Sequence, residues 1–183
     1  WSMNGSEARY ARRMMGSNVL MVLFLMTGCG SSTPEDVQAP GPSPLVSISV
    51  PDINFYLADV RRTYVTVNLM TTEFGTITNG WTLGFFSDYW THQFLNNLRQ
   101  RLEILEVQVE GIRPVDSELG KIHIEYENAL VNFERAFVAF ESQIDFPTDA
   151  GLEQVNLLLL AGNQDLVRFE QRLSNLMGRQ VQI

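Results

Sequence analysis

The sequence predicts an all-α protein, namely an antiparallel up-down four-helix bundle preceded by a signal peptide and a disordered tether. The length of 183 residues suits one folded domain. From residue 52 onward, four successive segments place apolar residues at alternating steps of three and four, which is the spacing of an amphipathic helix. The second and third connections between these segments are short, and short connections favour neighbouring antiparallel helices. We therefore expect a cleaved leader over residues 1–28, a tether over 29–51 and the bundle over 52–183.

The leader has the organisation of a secretory signal. Arg9, Arg12 and Arg13 form a basic stretch, the apolar run Val19–Met26 follows, and a small-residue cleavage site ends at Cys29. The apolar run has 8 residues, whereas a helix needs about 20 residues to cross the hydrocarbon core. The sequence therefore predicts a cleaved signal rather than a membrane-spanning anchor.

The segment Leu25–Cys29, Leu-Met-Thr-Gly-Cys, resembles the lipobox of bacterial lipoproteins. The resemblance implies that the thiol of Cys29 is lipidated and that this residue becomes the mature N-terminus. One departure is Met26, which stands where leucine is commonest. The whole chain is similar to small bacterial lipoproteins with a Pro-rich spacer and an all-helical ectodomain, and this similarity implies a location without implying an activity. The alternative for Cys29 is an ordinary buried cysteine.

The tether follows directly and is rich in Pro, Gly, Ser and acidic residues. Between Gly30 and Pro44 the one large aliphatic residue is Val37, so this stretch cannot bury a core. Pro-rich linkers are extended at about 3.1 Å per residue, and the residues from Gly30 to Pro51 therefore reach at most roughly 70 Å. We expect the domain to stand away from the membrane.

The charge of the chain argues against nucleic acid as a partner. The sequence has 13 Lys and Arg against 21 Asp and Glu, for a net charge of -8, and its one lysine is Lys121. Binding of phosphates needs concentrated positive charge. Without residues 1–28 the chain carries 10 positive and 20 negative charges, and anionic lipid headgroups repel such a surface. The expected partners are the membrane, through the N-terminal lipid, and an envelope protein or glycan.

The first helical segment follows Pro51 and Asp52, which are typical start signals. Its apolar residues are Ile53, Leu57, Val60, Tyr64 and Val67. The part Thr63–Met70 is rich in β-branched residues and is alternatively a strand. The periodicity favours a helix.

The second segment has Ser87 or Asp88 as its N-cap and ends at Gly111 and Pro114. Its apolar stripe consists of Thr91, Leu95, Leu98, Leu102, Leu105, Val109 and Ile112.

The third segment lies between Pro114 and Pro147, and the fourth begins at a cap, Thr148 or Asp149, and ends near Gly178. The stripe of the third consists of Val115, Leu119, Ile122, Tyr126, Leu130, Phe133, Phe137, Phe140 and Ile144. The stripe of the fourth consists of Leu152, Val155, Leu159, Gly162, Leu166, Phe169, Leu173 and Leu176.

Gly162 lies within a core stripe, where glycine costs about 1 kcal/mol relative to alanine. A bulky partner from the third segment, Phe133, Phe137 or Phe140, explains such a notch. A small-ligand pocket is the alternative explanation.

Chemistry-bearing residues are sparse. In the predicted bundle, His92 and His123 lie about 20 Å apart, too far to share a metal, and we expect both at the surface or its boundary. Each has an acidic residue one helical turn away, Asp88 and Glu127 respectively. The sequence has no Gly-x-Ser-x-Gly elbow and no phosphate-binding Gly-rich loop. We therefore expect neither catalysis nor a cofactor.

Glutamates recur every seven residues at Glu127, Glu134 and Glu141, and again at Glu103 and Glu110. A solvated face is the favoured interpretation. A weak cation-binding face is the alternative.

The connection between the first two segments, residues 73–86, is long for a bundle and crowded with aromatic residues. Asn79-Gly80 within it is a hairpin-turn signal. Candidate binding residues here and just beyond are Trp81, Phe85, Phe86, Tyr89 and Trp90. Such rings at a loop tip form either a recognition patch or a plug over the open end of the bundle.

The sequence thus predicts a lipid-anchored extracytoplasmic protein of the cell envelope, held at the cell membrane or outer membrane. Its expected role is non-catalytic binding or scaffolding through the aromatic loop. The alternative is a helical bundle that handles a small ligand or a metal.

Overall fold

A computed structural model describes residues 50–114 and 117–178 of the chain. It contains four helices, α1 (Val50–Thr82), α2 (Asp88–Gly111), α3 (Ser117–Asp145) and α4 (Asp149–Met177). No strand occurs in this part of the chain, which confirms the all-α prediction and settles Thr63–Met70 as helix. The signal segment, Cys29, the tether up to residue 49 and Val115 lie outside the described residues.

Two of the predicted helix starts are confirmed by their caps. The Ser87 side chain accepts a hydrogen bond from the backbone N–H of Trp90 at the start of α2. Thr148 Oγ1 accepts one from the Gly151 N–H, at 3.0 Å, at the start of α4. These bonds satisfy backbone donors that have no partner within the helix. Gly178, at φ +58°, ends α4 as expected.

The predicted long connection over residues 73–86 is wrong, because α1 continues to Thr82 and the chain is non-helical only over residues 83–87. The helix ends in a Schellman motif: the Phe85 N–H donates to Gly80 O at 2.8 Å, and the Gly84 N–H donates to Trp81 O at 3.0 Å. Gly84 takes φ +76°, a conformation that costs glycine little. Asn79-Gly80 is therefore helical and makes no hairpin turn.

The three-four spacing of buried residues in α1 runs on through the region that the turn signal interrupts. It continues with Val67, Met70, Phe74, Ile77 and Trp81. Burial of this stripe outweighs the local preference of an Asn-Gly pair, because each large apolar side chain contributes about 1.5–3 kcal/mol when fully buried.

The four helices share one hydrophobic core. Within it, successive aromatic residues of α1 pack against aromatic residues of α3. Phe74 stacks on Phe137 with centroids 4.4 Å apart. Trp81 and Phe140 meet edge to face at 5.4 Å. Between α3 and α4, Tyr126 stacks on Phe169 at 5.1 Å. Aromatic pairs at these separations stabilise the fold beyond the contribution of the apolar area that they bury.

Gly162 in α4 faces the ring of Phe133, one of the three partners predicted for it. A Cβ at this position would lie 2.6 Å from Phe133 Cε1. The ring occupies the notch that the small-ligand alternative requires. The notch thus serves packing between α3 and α4.

Polar contacts between neighbouring helices follow a consistent order along the chain. In those joining α2 to α3, the residue number rises in one helix as it falls in the other: His92 with Asp145, Arg99 with Glu141, and Val109 with His123. The same holds between α3 and α4: Glu125 with Arg172, and Asn132 with Asp165.

Among residues 50–114 and 117–178, no helix combines the length and the apolar character that a membrane-spanning segment requires.

Candidate functional site

The five aromatic residues singled out in the sequence do not form one group. Trp81 is 1% exposed and belongs to the core, and its Nε1–H donates to Asp88 Oδ1 at 2.9 Å. Phe86 is half-buried. Phe85, Tyr89 and Trp90 are 78%, 65% and 56% exposed. The plug interpretation therefore fits the buried Trp81, and the patch interpretation fits the exposed Phe85, Tyr89 and Trp90.

Phe86 is held by the same helix end that forms the turn. Its ring lies against the backbone of Gly80, where a Cβ would overlap the ring, and its N–H donates to Gly80 O at 3.1 Å. The ring of Phe94 meets Phe86 edge to face at 5.4 Å. The end of α1 therefore positions rings that belong to the turn and to α2.

Phe94 is a member of the group that the sequence reading missed. Its ring lies nearly parallel to that of Trp90, at 27° and 6.2 Å, and Tyr89 meets Trp90 edge to face at 5.4 Å. The signal is the spacing of four between Phe86, Trp90 and Phe94, which lies beside the buried stripe of α2. We define the aromatic surface as Phe85, Phe86, Tyr89, Trp90 and Phe94.

A groove between α1 and α2 adjoins the aromatic surface and has a volume of about 320 Å³. Its lining residues are Thr72, Glu73, Thr76, Ile77, Phe86, Phe94 and Asn97. The carboxylate of Glu73 forms an ion pair with Arg101 beside it. Apolar walls with a few polar groups are typical of sites that bind side chains or small molecules.

His123 is buried, contrary to the position at the surface or its boundary that the sequence predicts for it. It is 3% exposed, and it joins three helices. Nε2 lies 3.1 Å from Val109 O in α2, and Nδ1 lies 3.1 Å from the Tyr56 hydroxyl in α1. Because a carbonyl only accepts, Nε2 of the neutral ring carries the hydrogen, and Nδ1 accepts from Tyr56. The apolar periodicity of α3 could not predict this burial. An imidazole is buried in a core only where residues of other helices accept and donate its hydrogen bonds, and those residues are distant in sequence.

Burial lowers the pKa of His123 below its ordinary value of 6.5, although the hydrogen bond to Val109 and the charge of Glu127, 3.7 Å away, oppose the shift. His92, by contrast, is half-exposed. Its Nε2 lies 3.3 Å from Oδ1 of Asp145, a residue of α3.

We expect the free energy of unfolding to fall as the pH drops from 6.5 towards the lowered pKa of His123, by at most about 1.4 kcal/mol per pH unit. In this window the unfolded chain binds a proton that the folded chain does not. Urea unfolding of wild type and His123→Gln between pH 7.5 and 5.5 measures the difference in slope. Every other titratable group is common to wild type and variant, so the contributions of those groups to the slope cancel in this difference. Equal slopes for wild type and His123→Gln would contradict the assignment.

Glu106, a half-buried carboxyl of α2, was not singled out in the sequence. It lies in a groove of about 390 Å³ between α2 and α3, lined also by Glu103 and Glu134. Burial raises the pKa of Glu106, and the charges of Glu134, Glu110 and Glu103 raise it further. A raised carboxyl pKa stabilises the fold on acidification, which is the opposite sign to His123.

The acidic residues do not gather into a metal centre within the described part of the chain, where no group of three or more His, Cys, Asp or Glu side chains has suitable geometry. Of the glutamates that recur every seven residues, Glu103, Glu110 and Glu134 are exposed, as a solvated face requires, whereas Glu127 and Glu141 are half-buried. Glu127 lies 3.7 Å from His123, and Glu141 forms an ion pair with Arg99.

No family model matches the chain, and neither a curated protein nor a solved structure matches it significantly.

Proposed function

We propose that the protein is a lipid-anchored, extracytoplasmic component of the cell envelope that binds a partner through the aromatic surface and catalyses no reaction. In this proposal Cys29 carries the lipid, and residues 30–49, which precede α1, form the tether. The lipobox-like segment Leu25–Cys29 and the Pro-rich stretch after it support the anchor.

The proposal includes an up-down antiparallel arrangement of the four helices. The opposite order of contacting residues in successive helices supports it. With 33 residues in α1 and a rise of 1.5 Å per residue, the turn after α1 lies about 50 Å from the point where the tether joins. The aromatic surface is then presented at the end away from the membrane.

The observation that carries the binding role is the exposure of Phe85, Tyr89 and Trp90, which follow the buried core residue Trp81 in the chain. The core is complete without these three rings. Clustered exposed rings beside an apolar groove are typical of recognition sites, because rings bury a large area at a small entropic cost.

The binding role is tested by placing a photo-cross-linking amino acid at Phe85 of the full chain in intact cells. We expect a discrete adduct that Tyr89→Ala with Trp90→Ala reduces at least about tenfold, since rings at hot spots contribute about 2 kcal/mol or more. The matched control is Leu157→Ala with Leu160→Ala, two α4 residues that are each 53% exposed, and it should keep the adduct. An adduct that both double variants reduce equally, or no adduct at all, would contradict the role.

The anchor is tested separately by Cys29→Ser. Because a single thiol carries the lipid in this proposal, the variant should lose incorporation of labelled fatty acid and leave the membrane fraction. Wild type grown in parallel is the reference. Retention of Cys29→Ser in the membrane fraction after a high-salt wash would rule out the lipid as the anchor.

A further inference from the structure

We infer that the aromatic surface binds a cationic, apolar segment of a protein partner, such as a basic amphipathic helix. This inference rests on the proposed function and names the chemistry of the partner for that same site. Three features of the end of the bundle around the α1–α2 turn carry it: its charge, the accessibility of its rings, and the groove beside them.

The charge at this end is negative throughout. Residues 63–98 and 136–164, which make up this end of the bundle, contain no lysine or arginine. They contain six carboxylates: Glu73, Asp88, Glu141, Asp145, Asp149 and Glu153. The nearest cations along α2, Arg99 and Arg101, are engaged by Glu141 and Glu73. A one-sided field of this kind attracts a basic partner and repels an acidic one.

The rings of the aromatic surface are accessible to a cation from outside. Tyr89 and Trp90 are both more than half exposed, and residues 82–98 contain no lysine or arginine that would compete for their faces. A Lys or Arg within about 6 Å of a ring centroid is attracted by the ring, and tryptophan is the best such ring. The side chain of Asp88, next to Tyr89 in sequence, adds negative charge on the same turn of α2.

The groove beside the rings takes the apolar part of the same segment. Ile77, Phe86 and Phe94 form its apolar wall. An amphipathic helix presents apolar and basic side chains three or four residues apart. One face of such a helix therefore reaches the groove while its basic residues meet the rings and carboxylates.

Other occupants use only part of this arrangement. A neutral glycan stacks on the rings but gains nothing from the six carboxylates. Surface-bound proteins that insert aromatic residues into anionic bilayers carry basic residues beside them, and here those positions are acidic.

The test uses the full lipid-anchored chain in phosphatidylcholine nanodiscs, with empty nanodiscs as the blank. The probes are an 18-residue Leu/Lys amphipathic peptide, the same peptide with Glu in place of Lys, and a chito-oligosaccharide. We expect the Lys peptide to bind at least about tenfold more tightly than the Glu peptide, and to weaken between 50 and 500 mM salt. Tyr89→Ala with Trp90→Ala should lower its affinity about tenfold, whereas Leu157→Ala with Leu160→Ala should not.

A second variant separates charge from rings. Asp145→Asn with Glu153→Gln leaves every ring in place and should weaken binding of the Lys peptide about threefold or more, with a smaller salt dependence. Equal affinity for the Lys and Glu peptides, or a preference for the chito-oligosaccharide or for the empty bilayer, overturns the inference. If the Phe85 cross-link persists while the Lys peptide fails to bind, the proposed binding role stands and the cationic partner falls. If the cross-link is also absent, both fall.

Discussion

Replacing Trp81 by alanine is expected to lower the free energy of unfolding by about 3–5 kcal/mol, the usual cost of truncating a buried aromatic side chain. The indole packs edge to face on Phe140, and its N–H is bonded to Asp88 at the start of α2. The substitution therefore leaves a cavity and also removes a bond between the end of α1 and the start of α2. Urea unfolding followed by circular dichroism measures the loss as a lower midpoint at an unchanged m-value.

The matched control for Trp81→Ala is Phe85→Ala, four residues further along the chain. Phe85 is the most exposed ring of the aromatic surface, and exposed substitutions usually change stability by less than about 0.5 kcal/mol. Similar losses of unfolding free energy for the two variants would contradict the assignment of Trp81 to the core and of Phe85 to the exposed aromatic surface. Alanine at both positions in one variant would mix these effects, and the two residues have to be tested one at a time.

The helices, the caps at Ser87 and Thr148 and the terminal Gly178 could be predicted because each depends on residues close in sequence. The end of α1 could not, because two local signals compete there. The Asn79-Gly80 pair indicates a turn, whereas Gly84 is the glycine of the Schellman motif that forms. The spacing that continues to Trp81 was the better guide, since it reports burial against α3.

The candidate site was predictable in composition but not in arrangement. Phe85, Tyr89 and Trp90 are exposed as a recognition patch requires, but their separation from Trp81 depends on contacts with Phe140 of α3. The burial of His123 is of the same kind. Its hydroxyl partner is 67 residues earlier in the chain, and no local pattern reports such a pair.

Gly162→Ala is expected to lower the free energy of unfolding by about 1–3 kcal/mol, the usual cost of overpacking a core. Helix propensity acts in the opposite direction, because alanine is favoured over glycine by about 1 kcal/mol in a helix interior. The new methyl group would lie 2.6 Å from Phe133 Cε1, and that ring is buried on all sides, so it cannot swing into solvent. The clash should therefore outweigh the gain in propensity, which urea unfolding would show as a lower midpoint.

The same substitution at Gly120 in α3 separates these two effects, because a Cβ there meets no atom within 4 Å. Gly120→Ala should raise the free energy of unfolding by up to about 1 kcal/mol, from propensity alone. Adding Phe133→Leu to Gly162→Ala relieves the contact, so the double variant should be more stable than the sum of the single effects predicts. Stabilisation by Gly162→Ala equal to that by Gly120→Ala would show that the Phe133 ring yields at no cost. The contact between α3 and α4 would then be loose enough to admit a ligand, and this result would favour the alternative of a small-ligand pocket at Gly162.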